Sequence, residues 1–458
     1  MLALLAPLAA VWTLGPGPAE APDLRQTILL GRSLAVAGLA CLLALVLGTG
    51  LAVLLSHRNL PLRGLALPVL AVPFLLPPYL LAVALPWPPT WWAAGVVLGL
   101  HTMPLVLYPA LLALTRIDAS LAEAALLARG PARAWGRVLL PMVAPVLGGG
   151  TALAFLFGLA DYGVPSLLQV DTYPVEVFAL LDGYHDFGAA ARASLPLWLL
   201  GAAVALITWR LTAPRLRELF SARAVAPARF RLEPRLRWPA ALLLVAAMAA
   251  VLTPPLALVS RANRVSLIAL GLWEASGDLL NTLGFSLAAA LTAVGLAGWL
   301  ACRPDRWVHL GALLLLASPP ALLALGIVRL YGPELIGGLT GRYLAVPLLL
   351  LGLSFSLVPR TLHDAVRLAG RGRRLLYVDL HRPVYRLGFC LVFALAAGDL
   401  TLSLLLTPPG GGSLSMRIFN MAHYGRPDLV AALSLILMAV SLSPLVASLC
   451  LGVLEERA

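Results

Sequence analysis

The sequence contains no lysine. All 33 basic side chains among its 458 residues are arginine, which excludes a P-loop lysine for nucleotide phosphates, a Schiff-base lysine and a lysine general base. ATP is therefore not bound through a Walker A motif of this chain. Charge of either sign is scarce, at 12% of residues, and 60% are apolar, whereas soluble domains carry about 25% charged and roughly 45–50% apolar residues. So little charge leaves a water-facing surface uncovered, and a single soluble domain is excluded. Cysteine is sparse too. Cys41, Cys302, Cys390 and Cys450 fall within or at the ends of apolar runs without C-x-x-C spacing, and read as small core residues rather than disulfides or ligands. The seven histidines show no metal-ligand spacing, so no metal centre, cofactor or catalytic group is expected.

What is abundant is hydrocarbon. A bilayer core about 30 Å thick needs about 20 mostly apolar residues per helix, and such runs occur at 2–14, 31–55, 64–86, 91–115, 142–161, 194–213, 239–259, 280–301, 308–331, 343–359, 385–405 and 428–452. The first is short enough for a signal-peptide core, but it lacks a basic n-region and a clean cleavage site, so it is taken as a span. The expectation is an all-α polytopic membrane protein of about twelve transmembrane helices. With both termini cytoplasmic, 24 of the 33 arginines fall in cytoplasmic segments, a positive-inside bias that holds loop by loop. The net charge of +12 thus reflects topology, and a nucleic-acid partner is not expected.

The chain divides into two halves. The arginine-rich stretch 215–238 separates residues 1–214 from 239–458 as six spans plus six. Phe155 and Asp161 at the end of span five recur as Phe393 and Asp399 at the end of span eleven, and Gln26-Thr27 has a counterpart in Asn281-Thr282. Six spans return the chain to its starting side, so these are parallel repeats. Each half has one long cytoplasmic loop. The first runs from Ser120 through Glu123-Ala124-Ala125 and Gly130 to Val138-Leu-Leu140-Pro141; the second runs from Thr361 through Asp364-Ala365-Val366 and Gly370 to Leu380-His-Arg-Pro383. A Ser or Thr three residues before the acid is a capping-box pattern, so Glu123 and Asp364 could simply close a first helical turn. The small residues beside the acid, the glycine turn and the proline suit docking of a soluble partner on a short interfacial helix.

These loops resemble the Glu-Ala-Ala loop of the inner-membrane permeases of binding-protein-dependent ABC importers, in which glycine follows the acid by six residues and a hydrophobic-x-Leu-Pro ending follows by thirteen. The second copy has both spacings, with Asp for Glu, Val366 for the second Ala and Arg382 for Leu; in the first, Gly130 lies seven after Glu123 and eleven before Pro141. The resemblance spans nearly the whole chain. It implies two fused permease domains of the type I importer fold in a bacterial inner membrane. It also implies two copies of a separate ATPase subunit held on the loops at 120–130 and 361–370, and a periplasmic solute-binding protein on the other face. The chain would be a transport subunit rather than an enzyme.

The segment Asp399-Leu400, the leucine run to Pro408-Pro409-Gly410, and Ser413-Leu414-Ser-Met-Arg417-Ile418 resembles the fused permeases of iron(III) importers, as does Asp161-Tyr162-Gly163-Val164. Iron(III) is the cargo this implies, with thiamine or a polyamine as alternatives. Asp161, Tyr162, Asp399, Arg417 and Tyr424 are the candidates for the pathway or for contact with the binding protein; the alternative for the two acids is capping of span ends. Residues 161–192 carry five acids against Arg192 alone, a solvated face or a docking face. The rival classes are an ion-coupled secondary transporter, which is also built as six plus six but usually has charges inside its spans, and a membrane-embedded enzyme.

Overall fold

A computed structural model describes residues 24–221, 228–262, 264–301, 306–358, 360–368 and 378–457. The expected first span at 2–14, together with Cys302 and Gly370, lies outside the described residues. Among the described residues every regular element is a helix and there is no strand. Nine helices among the described residues are long and apolar enough to cross a membrane, or eleven if two sharply bent pairs each count as one span. These eleven coincide in position with the second to twelfth expected spans.

The chain opens with α1 (Leu24–Ser56), then α2 (Arg63–Leu75), α3 (Pro78–Ala84), α4 (Trp91–Thr102) and α5 (Pro104–Leu114). After α6 (Ala119–Arg129) come α7 (Pro131–Ala134), a π turn at Trp135–Leu139 and α8 (Leu140–Ala160). Two short helices, α9 (Gly163–Leu167) and α10 (Tyr173–Phe178), lead to α11 (Phe187–Ser221). Then follow α12 (Pro234–Arg261), α13 (Val265–Glu274), α14 (Ser276–Ala301), α15 (Arg306–Ala317), α16 (Pro320–Tyr331), α17 (Leu335–Tyr343) and α18 (Ala345–Leu357). The last are α19 (Arg360–Leu368), α20 (Arg382–Ala397), α21 (Thr401–Leu406), α22 (Leu414–Tyr424) and α23 (Pro427–Arg457).

Proline explains the two bends. Pro77-Pro78 and Pro319-Pro320 remove two successive N–H donors and force the residue before each pair out of helical geometry. The chain turns by 96° between α2 and α3 and by 105° between α15 and α16. Proline also accounts for the π turn. Pro141 has no N–H to continue an i to i−4 ladder, and the Leu140 N–H instead reaches the Trp135 carbonyl. The span therefore begins at Pro131, eleven residues before the expected start at 142, and Pro141 lies inside it. In contrast, Pro383 sits in the first turn of α20. The expected span 385–405 is likewise cut short. It ends at Ala397, because Gly398 breaks the helix and the Asp399 carboxylate caps a new one by accepting from Leu402 N at 2.7 Å.

Corresponding parts pack in corresponding ways. α1 lies against α4, α5 and α8, while α14 lies against α17, α18 and α20. The parts also interlock, since α11 packs on α15, α16 and α18, and α12 packs on α2 and α3. A single core holds Tyr79 and Leu159 together with Leu322, Tyr343, Phe393 and Leu400. The outer surfaces of the spans expose aliphatics such as Leu42, Leu199, Leu242 and Leu291, as lipid contact requires. Exposed tryptophans sit at both ends of the bundle. Trp238, Trp299 and Trp307 lie at the arginine-rich end and Trp91, Trp92 and Trp273 at the other, where indole suits the lipid–water boundary.

Candidate functional site

At the arginine-rich end, separate loops are fastened together. Arg58 N donates to Phe230 O at 3.0 Å and Ala228 N to Ile117 O at 2.8 Å. Asn59 bonds Leu232 through both its amide atoms. Phe230 packs at a tilt against Trp135, ring centroids 4.7 Å apart, with His57 against both rings. Residues 228–232, within the expected linker 215–238, thus form a strap across the base of the first long loop.

Each long loop contributes a short helix with an uncovered apolar edge. α6 is capped by Asp118, whose carboxylate accepts from Ser120 N at 2.9 Å and from Ser120 Oγ at 2.6 Å. Ser120 is therefore not the cap, and the capping-box role expected for Glu123 does not hold. Glu123 and Ala124 are exposed, Ala125 is buried, and Glu123 has no partner among the described residues. Leu121, two before the acid, is 44% exposed and Leu127, four after it, 88%. α19 shows the same arrangement: Leu362, two before Asp364, is 39% exposed and Leu368, four after it, 89%. Asp364 and Ala365 are exposed as well. After α6 the chain reverses at Gly130 with φ 71° and ψ 163°, a region essentially restricted to glycine. The second loop returns at His381, which is buried, bonded to Ser354 Oγ at 2.7 Å and set edge-on against Phe355.

Inside the bundle, the breaks meet. The Pro77 ring fits against Gly398, where an added Cβ would come within 2.4 Å of it, and Gly163 lies against Tyr79 and Leu400. Between them is a cavity of about 60 Å3 lined by Phe74, Tyr79, Phe157, Tyr343, His101, Arg342, Asp161 and Asp399, among others. The two acids have matching roles. Asp161 Oδ1 accepts from Val164 N at 2.8 Å and Asp399 Oδ1 from Leu402 N at 2.7 Å, so each caps the short helix after its span.

Their second oxygens differ. Asp399 Oδ2 accepts from the Tyr343 hydroxyl at 2.6 Å and lies 3.5 Å from Arg342 Nε, with both side chains at least nine-tenths buried. Asp161 has no second hydrogen bond among the described residues, and Arg342 acts on it only at longer range. The position matching Arg342, two residues before the equivalent junction at Met103, is His101. Its Nδ1–H donates to Pro73 O at 2.7 Å, the carbonyl that Pro77 cannot serve, and Nε2 is left as an acceptor. Tyr162 is buried and stacks on Phe178, away from this pair of acids. Arg342 is the residue that sequence reasoning missed. It lies one position before the expected span 343–359, whereas the helical span starts at Leu335. A charge therefore lies inside this span.

At the opposite end Arg417 has partners in its own chain, Asp278 at 3.0 Å and Glu274 at 3.6 Å. Tyr424 is the last residue of α22. In the acidic segment, Glu176 pairs with Arg25 and Asp171 with Arg32, leaving Asp182 and Asp186 exposed. The counterpart of Thr282 is Ser33 rather than Thr27: the Thr282 hydroxyl accepts from Leu414 N and the Ser33 hydroxyl from Tyr173 N, both at 2.8 Å, each at the start of a helix. Among the described residues no three His, Cys, Asp or Glu side chains come together as a metal site. No protein-family model, curated protein or solved structure matches the chain.

Proposed function

We propose that the chain is the membrane permease of an ATP-driven importer, with two fused six-helix domains, and that α6 and α19 are the helices through which two ATPase subunits drive it. One observation carries this reading. Two short helices, in the two loops that carry the Glu-Ala-Ala-like motif, hold an exposed acid flanked by exposed leucines at the same offsets of −2 and +4. Leucines 88% and 89% exposed at an arginine-rich, water-facing end are costly unless something covers them, at about 1.5–3 kcal/mol per fully buried side chain. The bends, helix breaks and capping acids that recur about 240 residues apart support two tandem repeats, and the cross-packing of α11 and α12 supports one chain acting as both domains. The tandem domains would alternate between outward and inward openings, taking solute from a periplasmic binding protein in a bacterial inner membrane.

The cargo expected from the 399–418 resemblance is iron(III), with thiamine or a polyamine as the alternatives. The buried Arg342–Asp399 pair favours a second reading, an ion-coupled carrier, because charge inside spans is where such carriers couple. Co-purification separates the two. The importer reading expects a P-loop ATPase bound to the chain, with binding and transport lost when Glu123→Arg and Asp364→Arg are combined in protein that still reaches the membrane. Transport that survives this double substitution removes the reading.

A further inference from the structure

The cavity where the helix breaks meet discriminates between the classes of cargo. Its two acids occupy matching positions but not matching surroundings. Asp399 has Arg342 at 3.5 Å and a hydroxyl donor, Tyr343; Asp161 is hydrogen-bonded by the Val164 N–H and shares the field of the same guanidinium at longer range, with a histidine where its twin has the arginine. One guanidinium thus serves two carboxyls, and with both ionised the lining carries a net charge of −1. A buried carboxylate without a counter-ion of its own is costly, and a cation entering the cavity supplies the missing partner.

Three further features narrow that cation. First, the walls include the rings of Phe74, Tyr79, Phe157 and Tyr343, and the Tyr343 ring already has a cation, the Arg342 guanidinium, 5.7 Å from its centroid, the kind of contact an organic cation makes with aromatic walls. Second, the lining is poor in ligands for a bare metal ion, because Asp399 is engaged by Tyr343 and Arg342 and the one remaining oxygen of Asp161 cannot fill a metal's coordination sphere. Third, among the described residues Arg342, only 6% exposed, makes no well-formed hydrogen bond through Nε or Nη1, although Nε lies 3.5 Å from Asp399 Oδ2. These donors call for an acceptor oxygen. About 60 Å3 holds roughly four waters at 10–15 Å3 each, or one small ammonium group with an adjoining oxygen.

We infer that this cavity binds an organic cation that carries an oxygen acceptor, its ammonium or iminium group on Asp161 and its oxygen toward Arg342. The inference rests on the permease reading and turns its cargo away from bare iron(III) toward amine-type solutes.

The test is equilibrium binding to the purified full chain in nanodiscs, without ATPase or binding protein, by intrinsic tryptophan fluorescence. The probes are ethanolamine, propylamine, choline, glycine and iron(III) citrate. Ethanolamine is expected to bind saturably; choline, with seven heavy atoms against a volume of roughly four waters, is expected to bind no better than propylamine. Propylamine, which lacks the oxygen, is expected to bind several-fold more weakly than ethanolamine. Asp161→Asn keeps the oxygen that caps Val164 while removing the charge, and should weaken ethanolamine at least tenfold at unchanged melting temperature; Asp171→Asn, on the surface, should not. Equal binding to the wild type and Asp161→Asn, no binding of ethanolamine, or saturable binding of iron(III) citrate or glycine alone overturns the inference. Because no ATPase is present, cation binding by a chain that captures no ATPase rejects the permease reading and leaves the site. Capture of an ATPase without cation binding rejects the site and leaves the permease.

Discussion

Replacing Arg342 by methionine removes the cation from a carboxylate that has almost no access to water. The side chains of Arg342 and Asp399 are 8% and 5% exposed, so solvent screening is minor and the loss should approach the about 3–5 kcal/mol typical when one partner of a buried pair is removed. Asp399→Asn alone leaves the guanidinium without its counter-charge, although the Leu402 N–H keeps its acceptor, and should cost a similar amount. The double substitution buries no unpaired charge, and methionine fills most of the arginine stem's volume. It should therefore be less damaging than the sum of the singles, with a coupling of at least about 2 kcal/mol, within the range seen for residues in contact. The assay is thermal unfolding of purified protein in one detergent, comparing four proteins as a double-mutant cycle. Additive losses, or an Arg342→Met protein as stable as the wild type, would refute the claim that this pair is a desolvated ion pair at the bundle centre.

Other expectations follow from the arginine-rich end. Leu127→Asp with Leu368→Asp should change melting temperature little, since exposed positions away from special features usually stay within about 0.5 kcal/mol, yet should abolish ATPase co-purification. Gly130→Ala forces a Cβ into a backbone region reserved for glycine and should cost about 1–3 kcal/mol, read as lower yield and melting temperature. His57 is buried against Trp135 and Phe230, and burial lowers its pKa below the usual histidine value. Its folded form resists protonation, so its contribution is complete above the unfolded value of about 6.5 and is lost as pH falls below it. Hydrogen exchange at residues 228–232 should accelerate on acidification through that range, and His57→Gln should flatten the response.

Hydropathy and arginine placement made the spans legible because lipid contact demands long apolar helices and the translocation machinery retains positive charge on one side. Eleven expected spans coincide with helical spans for that reason. Boundaries were less legible where backbone chemistry overrides hydropathy. The run 64–86 reads as one apolar segment, yet two prolines fold it to nearly a right angle; the run 385–405 stays apolar across Gly398-Asp399, where an acid caps a new helix. At α6, Asp118 and Ser120 both match cap preferences, and only geometry shows that Asp118 takes the role and leaves Glu123 exposed. Of the interior site, the two acids were visible through their repeated spacing. Arg342 was hidden because apolar runs are bounded at the first charge, which assigns a buried arginine to a loop. His101 gave no signal alone; its position becomes meaningful only when aligned with Arg342 across the two repeats.

The most direct test of the central claim is the subunit composition of the chain purified from its native membrane, with and without Glu123→Arg and Asp364→Arg. The account predicts two P-loop ATPase subunits per wild-type chain and none on the double variant, at equal amounts of folded chain in the membrane. A wild-type chain that purifies without an ATPase, or a double variant that retains it, would contradict the assignment of α6 and α19 as coupling helices.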